Sequence, residues 1–87
     1  MYTLEIYSRD NCSYCRMAKQ VLKGRGITFK EYDVTHDRSL ADEMRKRSSR
    51  QSVPQIFLNF EHIGGFDDMM TAIRDGTFLK KLNNIIE

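Results

Sequence analysis

Apolar and polar positions alternate from Tyr2 to Tyr7, which sets Tyr2, Leu4 and Ile6 on one face of a strand. The period changes after Arg9-Asp10-Asn11, a turn. From Cys12 to about Lys23 the apolar residues are Tyr14, Met17, Ala18, Val21 and Leu22, which is helical spacing, and Gly24 and Gly26 end that helix. Ile27 to Val34 reads as a second strand with imperfect alternation. Thr35 or Asp37 caps a helix whose narrow apolar stripe is Leu40, Ala41 and Met44. Ser48 to Ser52 is a polar loop. Pro54 then precedes the apolar run Ile56-Phe57-Leu58, and Asn59-Phe60-Glu61 turns the chain into a short strand at His62-Ile63. Gly64-Gly65 breaks that strand. Phe66, Met69, Met70 and Ile73 mark a third helix, with Asp67 and Asp68 in its first turn and Gly76 at its end. Leu79, Leu82 and Ile86 mark a last helix.

The order β-α-β-α-β-β-α-α predicts a fold. The first β-α-β unit is a right-handed crossover that sets its strands parallel, and the later strand pair is a hairpin. A four-stranded mixed sheet flanked by helices on both faces follows, an α/β layer architecture. The 87 residues are expected to form a single domain, 1–87, because no linker, repeat or low-complexity tract divides them. A domain of this size buries only about 60% of its unfolded surface and needs a well-patterned core. The chain supplies one, with 40% hydrophobic residues that include 5 Phe, 4 Tyr and 5 Met.

Charge narrows the classes of partner. The net charge of +2 is too small to argue for nucleic acid, although Arg45, Lys46, Arg47 and Arg50 are bunched. The plainer reading of that bunch is a solvated helix end, where cations suit the dipole. The sharper one is attraction of a small anion or an acidic partner. No aromatic residues are interleaved for base stacking, so nucleic acid is disfavoured. No run approaches the roughly 18 apolar residues of a membrane helix. Met1 to Glu5 lacks the basic start and apolar stretch of a signal peptide, so a cytoplasmic location is the expectation.

The 2 cysteines are spaced C-x-x-C. A secreted disulfide scaffold of this size normally carries more. No second pair completes a zinc site, and neither His36 nor His62 sits at ligand spacing, so no metal ligands are assigned. Position gives the pair its meaning. Cys12 follows a strand and begins a helix, whose partial positive charge and free N–H groups stabilise a thiolate. Cys15 lies one turn on, so the two sulfurs can meet. It shares its face with Ala18 and Leu22 and is expected to be the buried sulfur. Cys12 then attacks and Cys15 resolves. Arg9 and Arg16 flank the site. The competing reading, a static disulfide or two inert core thiols, fits the placement less well.

Three segments, taken together, resemble the dithiol glutaredoxins of the thioredoxin fold. They are Cys12-Ser13-Tyr14-Cys15, Ser52-Val53-Pro54-Gln55-Ile56-Phe57 and Ile63-Gly64-Gly65-Phe66-Asp67-Asp68, in the family's order and at its spacing. The resemblance implies a glutathione-dependent thiol–disulfide oxidoreductase acting on protein disulfides and glutathione mixed disulfides. It implies a cis bond before Pro54, which leaves the backbone of Val53 facing the cysteines and free to pair with the cysteinyl part of glutathione. It implies that Gly65, Phe66 and Asp67 receive the γ-glutamyl end, through helix N–H groups and a carboxylate, with Asp68 beside them. Plain N-capping is the alternative for both aspartates. Arg9 matches a basic residue that contacts the glycyl carboxylate, Tyr14 matches a tyrosine beside the site, and Ser52 opens the proline segment. No residue of the second helix matches a ligand contact; Arg45, Arg47 and Arg50 are candidates only.

Ser13 departs from the proline that many dithiol glutaredoxins carry there. The C-S-Y-C variant resembles members in which two protomers and two glutathiones hold one [2Fe–2S] cluster through their nucleophilic cysteines, here Cys12. The resemblance therefore leaves two states open, a monomer and a cluster-bridged dimer. Ser13 also suits position N1 of a helix without any such role. A redoxin reduced by thioredoxin reductase is a third reading, disfavoured by Gly64-Gly65-Phe66-Asp67-Asp68.

Overall fold

The computed structural model describes residues 2–83. Its elements run β1 (Leu4–Ser8), α1 (Ser13–Gly24), β2 (Lys30–Asp33), α2 (Arg38–Ser48), β3 (Gln55–Leu58), β4 (Glu61–Gly64), α3 (Phe66–Arg74) and α4 (Thr77–Asn83). The sheet order is β2-β1-β3-β4, with β1 and β2 parallel and the other two pairs antiparallel. The predicted element order and mixed sheet are both present. Ile86, expected in the last helix, lies outside the described residues.

β1 is buried along its whole length. Alternation predicted one buried face, but helices cover both. Leu4 and Ile6 enter the larger core with Ala18 and Leu22 of α1, Met69 and Ile73 of α3, and Phe78 and Leu82 of α4. Tyr7 enters a smaller core on the opposite face, with Phe57 of β3 and Met44 of α2. A central strand covered on both sides loses its polar face, so the period-2 signal weakens where the fold most needs the strand.

Local chemistry sets the ends of the elements. Gly26, at φ +72°, closes α1, with Gly26 N–H bonding Lys23 C=O and Ile27 N–H bonding Leu22 C=O. That is a Schellman motif, and its apolar pair, Leu22 and Ile27, lies in the larger core. Gly24, expected to help end the helix, is still within it. β2 begins later than its apolar residues suggested. Ile27 belongs to the α1 terminus, and Thr28 N–H is satisfied by the Tyr2 hydroxyl at 2.9 Å rather than by a ladder. Asp37 is the cap of α2, accepting from Leu40 N–H at 3.0 Å. The hairpin turn is tighter than predicted: Asn59 and Phe60 both take positive φ, 51° and 69°, as a two-residue turn compatible with strand twist requires.

The basic bunch does not form one patch. Arg45 pairs with Asp42 on its own helix. Arg47 instead crosses to the sheet, where it donates to Glu5 at 3.0 Å and to the Tyr7 hydroxyl at 2.8 Å, over the ring of Phe57 at 3.9 Å. The Tyr7 hydroxyl donates to Glu43, and Tyr32 donates to Glu5 at 3.2 Å. Glu5 keeps only 9% of its side-chain surface exposed, so its charge depends on this partner. The hydrogen bonds to Glu5 and Tyr7 hold the Arg47 guanidinium more firmly charged than usual. Burial, with the hydrogen bond to Glu43 next, pushes the Tyr7 phenol up to about 12.

Removing one partner of a buried pair strands the other. Arg47→Ala should therefore cost about 3 kcal/mol in urea unfolding, while Arg45→Ala, at an exposed pair, should cost less than about 1 kcal/mol. Equal losses would place Glu5 in effective contact with water.

Candidate active site

The site starts at the end of β1. Arg9 to Asn11 turn the chain, with Asn11 at φ +55°, and Cys12 then caps α1 through its sulfur, which accepts Cys15 N–H at 3.1 Å. An N–H aimed at this sulfur stabilises negative charge on it in the reduced protein. Cys12 and Cys15 are joined as a disulfide, with Cα atoms 5.2 Å apart. Their environments differ as the helical spacing predicts. Cys15 is 1% exposed, against Ala18 and Leu22 at 0%, while Cys12 is half-buried at the rim.

Facing Cys12 is the segment before β3. The Val53–Pro54 bond is cis, and the Val53 carbonyl oxygen lies 3.9 Å from Cys12 Sγ. Among the described residues, neither the N–H nor the C=O of Val53 has a backbone hydrogen-bond partner. Beyond it runs the β4–α3 junction. Gly64 takes φ +126°, and a Cβ there would collide with the Asp68 carboxylate. A Cβ on Gly65 would stand 3.4 Å from Pro54 O, an ordinary contact distance, so the two segments run side by side here.

These segments enclose a groove of about 270 Å³. Of the residues singled out in the sequence, Tyr14, Ser52, Val53, Pro54, Gly65, Phe66, Asp67 and Asp68 all line it. Tyr14 and Phe66 form its aromatic side, with ring centroids 5.8 Å apart. Arg9 is exposed and lies outside it. Arg50 lines it instead and bonds Asp68 at 3.0 Å. The two aspartates have separate roles. Asp68 caps α3 by accepting Gly65 N–H at 3.0 Å. Asp67 is exposed and has no ion-pair partner among the described residues.

In the sequence Arg50 is one candidate among three, and nothing marks a role for Gln55 or His62. Gln55 is fully buried and donates to Ser52 C=O at 3.0 Å and to Ser52 Oγ at 3.2 Å. His62 Nε2 lies 2.7 Å from Gln55 Oε1, with its ring against Phe57 at 4.9 Å between centroids. Burial first, then repulsion from Arg50, lowers the His62 pKa; Asp68 opposes this, and Arg47 adds a smaller push in the same direction as Arg50. A glutamine heading an apolar run was the only signal for this chain of contacts. Its partners are set by register, which one-dimensional spacing does not carry.

A family model described as Glutaredoxin matches residues 4–63. Glutaredoxin 3 of Escherichia coli K12 is 44% identical over 69 residues, covering 79% of this chain and 83% of that relative. The solution structure of a glutaredoxin from Brucella melitensis superposes with a TM-score of 0.78 at 37% identity, covering 90% of this chain and 85% of that one. A buckwheat glutaredoxin–glutathione complex shares the fold, with a TM-score of 0.86 at 23% identity over 95% of this chain and 78% of its own.

The Asp68 carboxyl is held below its ordinary value near 3.8 by Gly65 N–H first and by Arg50 second. A carboxyl depressed in the folded state stabilises the fold above its unfolded pKa, and the contribution disappears as pH falls through the folded value. A carboxyl NMR titration should place the Asp68 midpoint below 3.8. In Arg50→Gln it should rise but stay depressed, because the backbone bond remains. An unmoved midpoint would leave Arg50 without influence on Asp68.

Proposed function

The chain belongs to the glutaredoxin family and is a thiol–disulfide oxidoreductase, and from that premise we propose that glutathione is its reductant and that Cys12 is its nucleophile. The observation that carries this reading is the groove beside Cys12, with unpaired backbone on one side and a helix N-terminus on the other. Glutathione has matching parts. Its cysteinyl amide pairs with Val53 N–H and C=O as a short added strand, which sets its sulfur next to Cys12 Sγ. Its γ-glutamyl carboxylate takes the first N–H groups of α3, and its ammonium takes the uncommitted Asp67. Arg9 is assigned only to the glycyl carboxylate, at the exposed end of the tripeptide.

The chemistry is two exchanges. Cys12 thiolate attacks the glutathione sulfur of a protein–glutathione mixed disulfide, the S–S bond breaks, and the protein thiolate leaves and takes a proton. A second glutathione thiolate attacks the sulfur of the glutathione bound to Cys12, and the bond to Cys12 Sγ breaks. Glutathione disulfide departs and Cys12 thiolate is restored. Against a protein disulfide, Cys12 forms the mixed disulfide with one substrate sulfur. The Cys15 thiolate then attacks Cys12 Sγ, releasing the reduced substrate. Burial suits Cys15 to this second role, since Cys12 is the sulfur within its reach.

Cys12→Ser should abolish turnover of a glutathione mixed disulfide, whereas Cys15→Ser should retain it and lose only the reduction of protein disulfides. Full activity in Cys12→Ser would end this assignment. The same proteins, purified without oxygen, should be read for visible absorption. A chromophore lost with Cys12→Ser would make cluster holding, which Ser13 leaves open, the primary role.

A further inference from the structure

The segment Ser52–Pro54 presents Val53 to the ligand, yet it lies outside the ladder. β3 begins at Gln55, and Ser52 and Val53 make no backbone–backbone hydrogen bond among the described residues. Something else has to set its height above the groove. Gln55 is the adjacent residue and is 0% exposed, at the head of a strand whose other members are Ile56, Phe57 and Leu58. An amide buried there costs free energy unless every polar atom is used. All of it is used. The Ser52 carbonyl can only accept, so the NH2 end of Gln55 faces it, and Oε1 is turned toward His62. His62 must then present Nε2–H. It does so both as the imidazolium and as the Nε2–H tautomer, so the chain of bonds needs no proton change. His62 is itself fixed, paired with Phe57 across the β3–β4 ladder and half-buried against that ring.

We propose that Gln55 and His62 are positioning residues, a relay through the buried Gln55 amide from β4 to the Ser52 carbonyl that sets where Val53 meets the ligand backbone. The proposal rests on the glutathione reading above. The relay touches neither sulfur. Its loss should weaken binding of the ground state and transition state alike and leave the exchange at Cys12 intact.

Steady-state turnover of a glutathione mixed disulfide tests it. Gln55→Met keeps the size and removes the hydrogen bonds to Ser52 and to His62; His62→Phe keeps the ring against Phe57 and removes the donor. Each should raise KM about tenfold, the scale of one lost hydrogen bond of about 1.4 kcal/mol, with kcat within about twofold. His62→Gln, whose Nε2 can reach the place of the lost donor, should return KM toward the wild-type value. The rate of Cys12 alkylation by iodoacetamide in the reduced proteins should be unchanged in all three. Wild-type KM in both Gln55→Met and His62→Phe would overturn the relay, as would a His62→Gln variant no better than His62→Phe. No turnover by the wild-type protein would instead overturn the glutathione reading, and this inference with it.

Discussion

Burial of β1 on both faces is the constraint from which the site follows. A strand paired along both edges and packed on both sides cannot shift, tilt or slip register without exposing apolar surface and breaking ladders. Its end is therefore a fixed point in the molecule. Cys12 stands a short turn beyond that point, and the pairing of β1 with β3 brings the Val53 segment to the same end of the sheet. The hairpin then carries Gly64 and Gly65 alongside. The groove is the shared margin of segments whose relative placement the central strand dictates.

The difference between the two cysteines has the same origin. α1 packs its Cys15–Ala18–Leu22 face onto the larger core, so its first turn is held with one sulfur inward and the other at the rim. The polar structure around the groove continues the pattern. Asp68 closes the end of α3 while holding Arg50, and Gln55 links the proline segment to β4. On the far face Arg47 does the comparable task for Glu5. In each case a long side chain joins residues that the backbone brings near but does not bond.

What was legible in the sequence was what depends on spacing along the chain. The helical face of Cys15, Ala18 and Leu22 and the three motif segments around Cys12, Pro54 and Gly65 could be read directly, and the segments define the groove apart from Arg50; the cap of α2 was narrowed to Thr35 or Asp37, of which the structure uses Asp37. Side chains that act across the sheet could not. Arg47 lies in a run of cations and has the composition of a solvated helix end, but its partner is Glu5, far earlier in the chain. His62 and Gln55 meet only because β3 and β4 pair in one register. Edges were also blurred where two signals overlapped. Ile27 is apolar enough to begin a strand, and the structure uses it to finish a helix.

The short sequence separation of the two cysteines, 3 residues, carries an entropic consequence for the unfolded chain. Closing so small a loop restricts the denatured ensemble by only about 2 kcal/mol in the chain-entropy account, against about 4 kcal/mol for a link spanning the distance from Leu4 to Leu58. Oxidation thus adds less to the stability of the whole domain than a long-range link would. The long-range order of the scaffold rests on its core rather than on this bond, and the redox couple is left to be tuned by what surrounds the half-buried Cys12 sulfur.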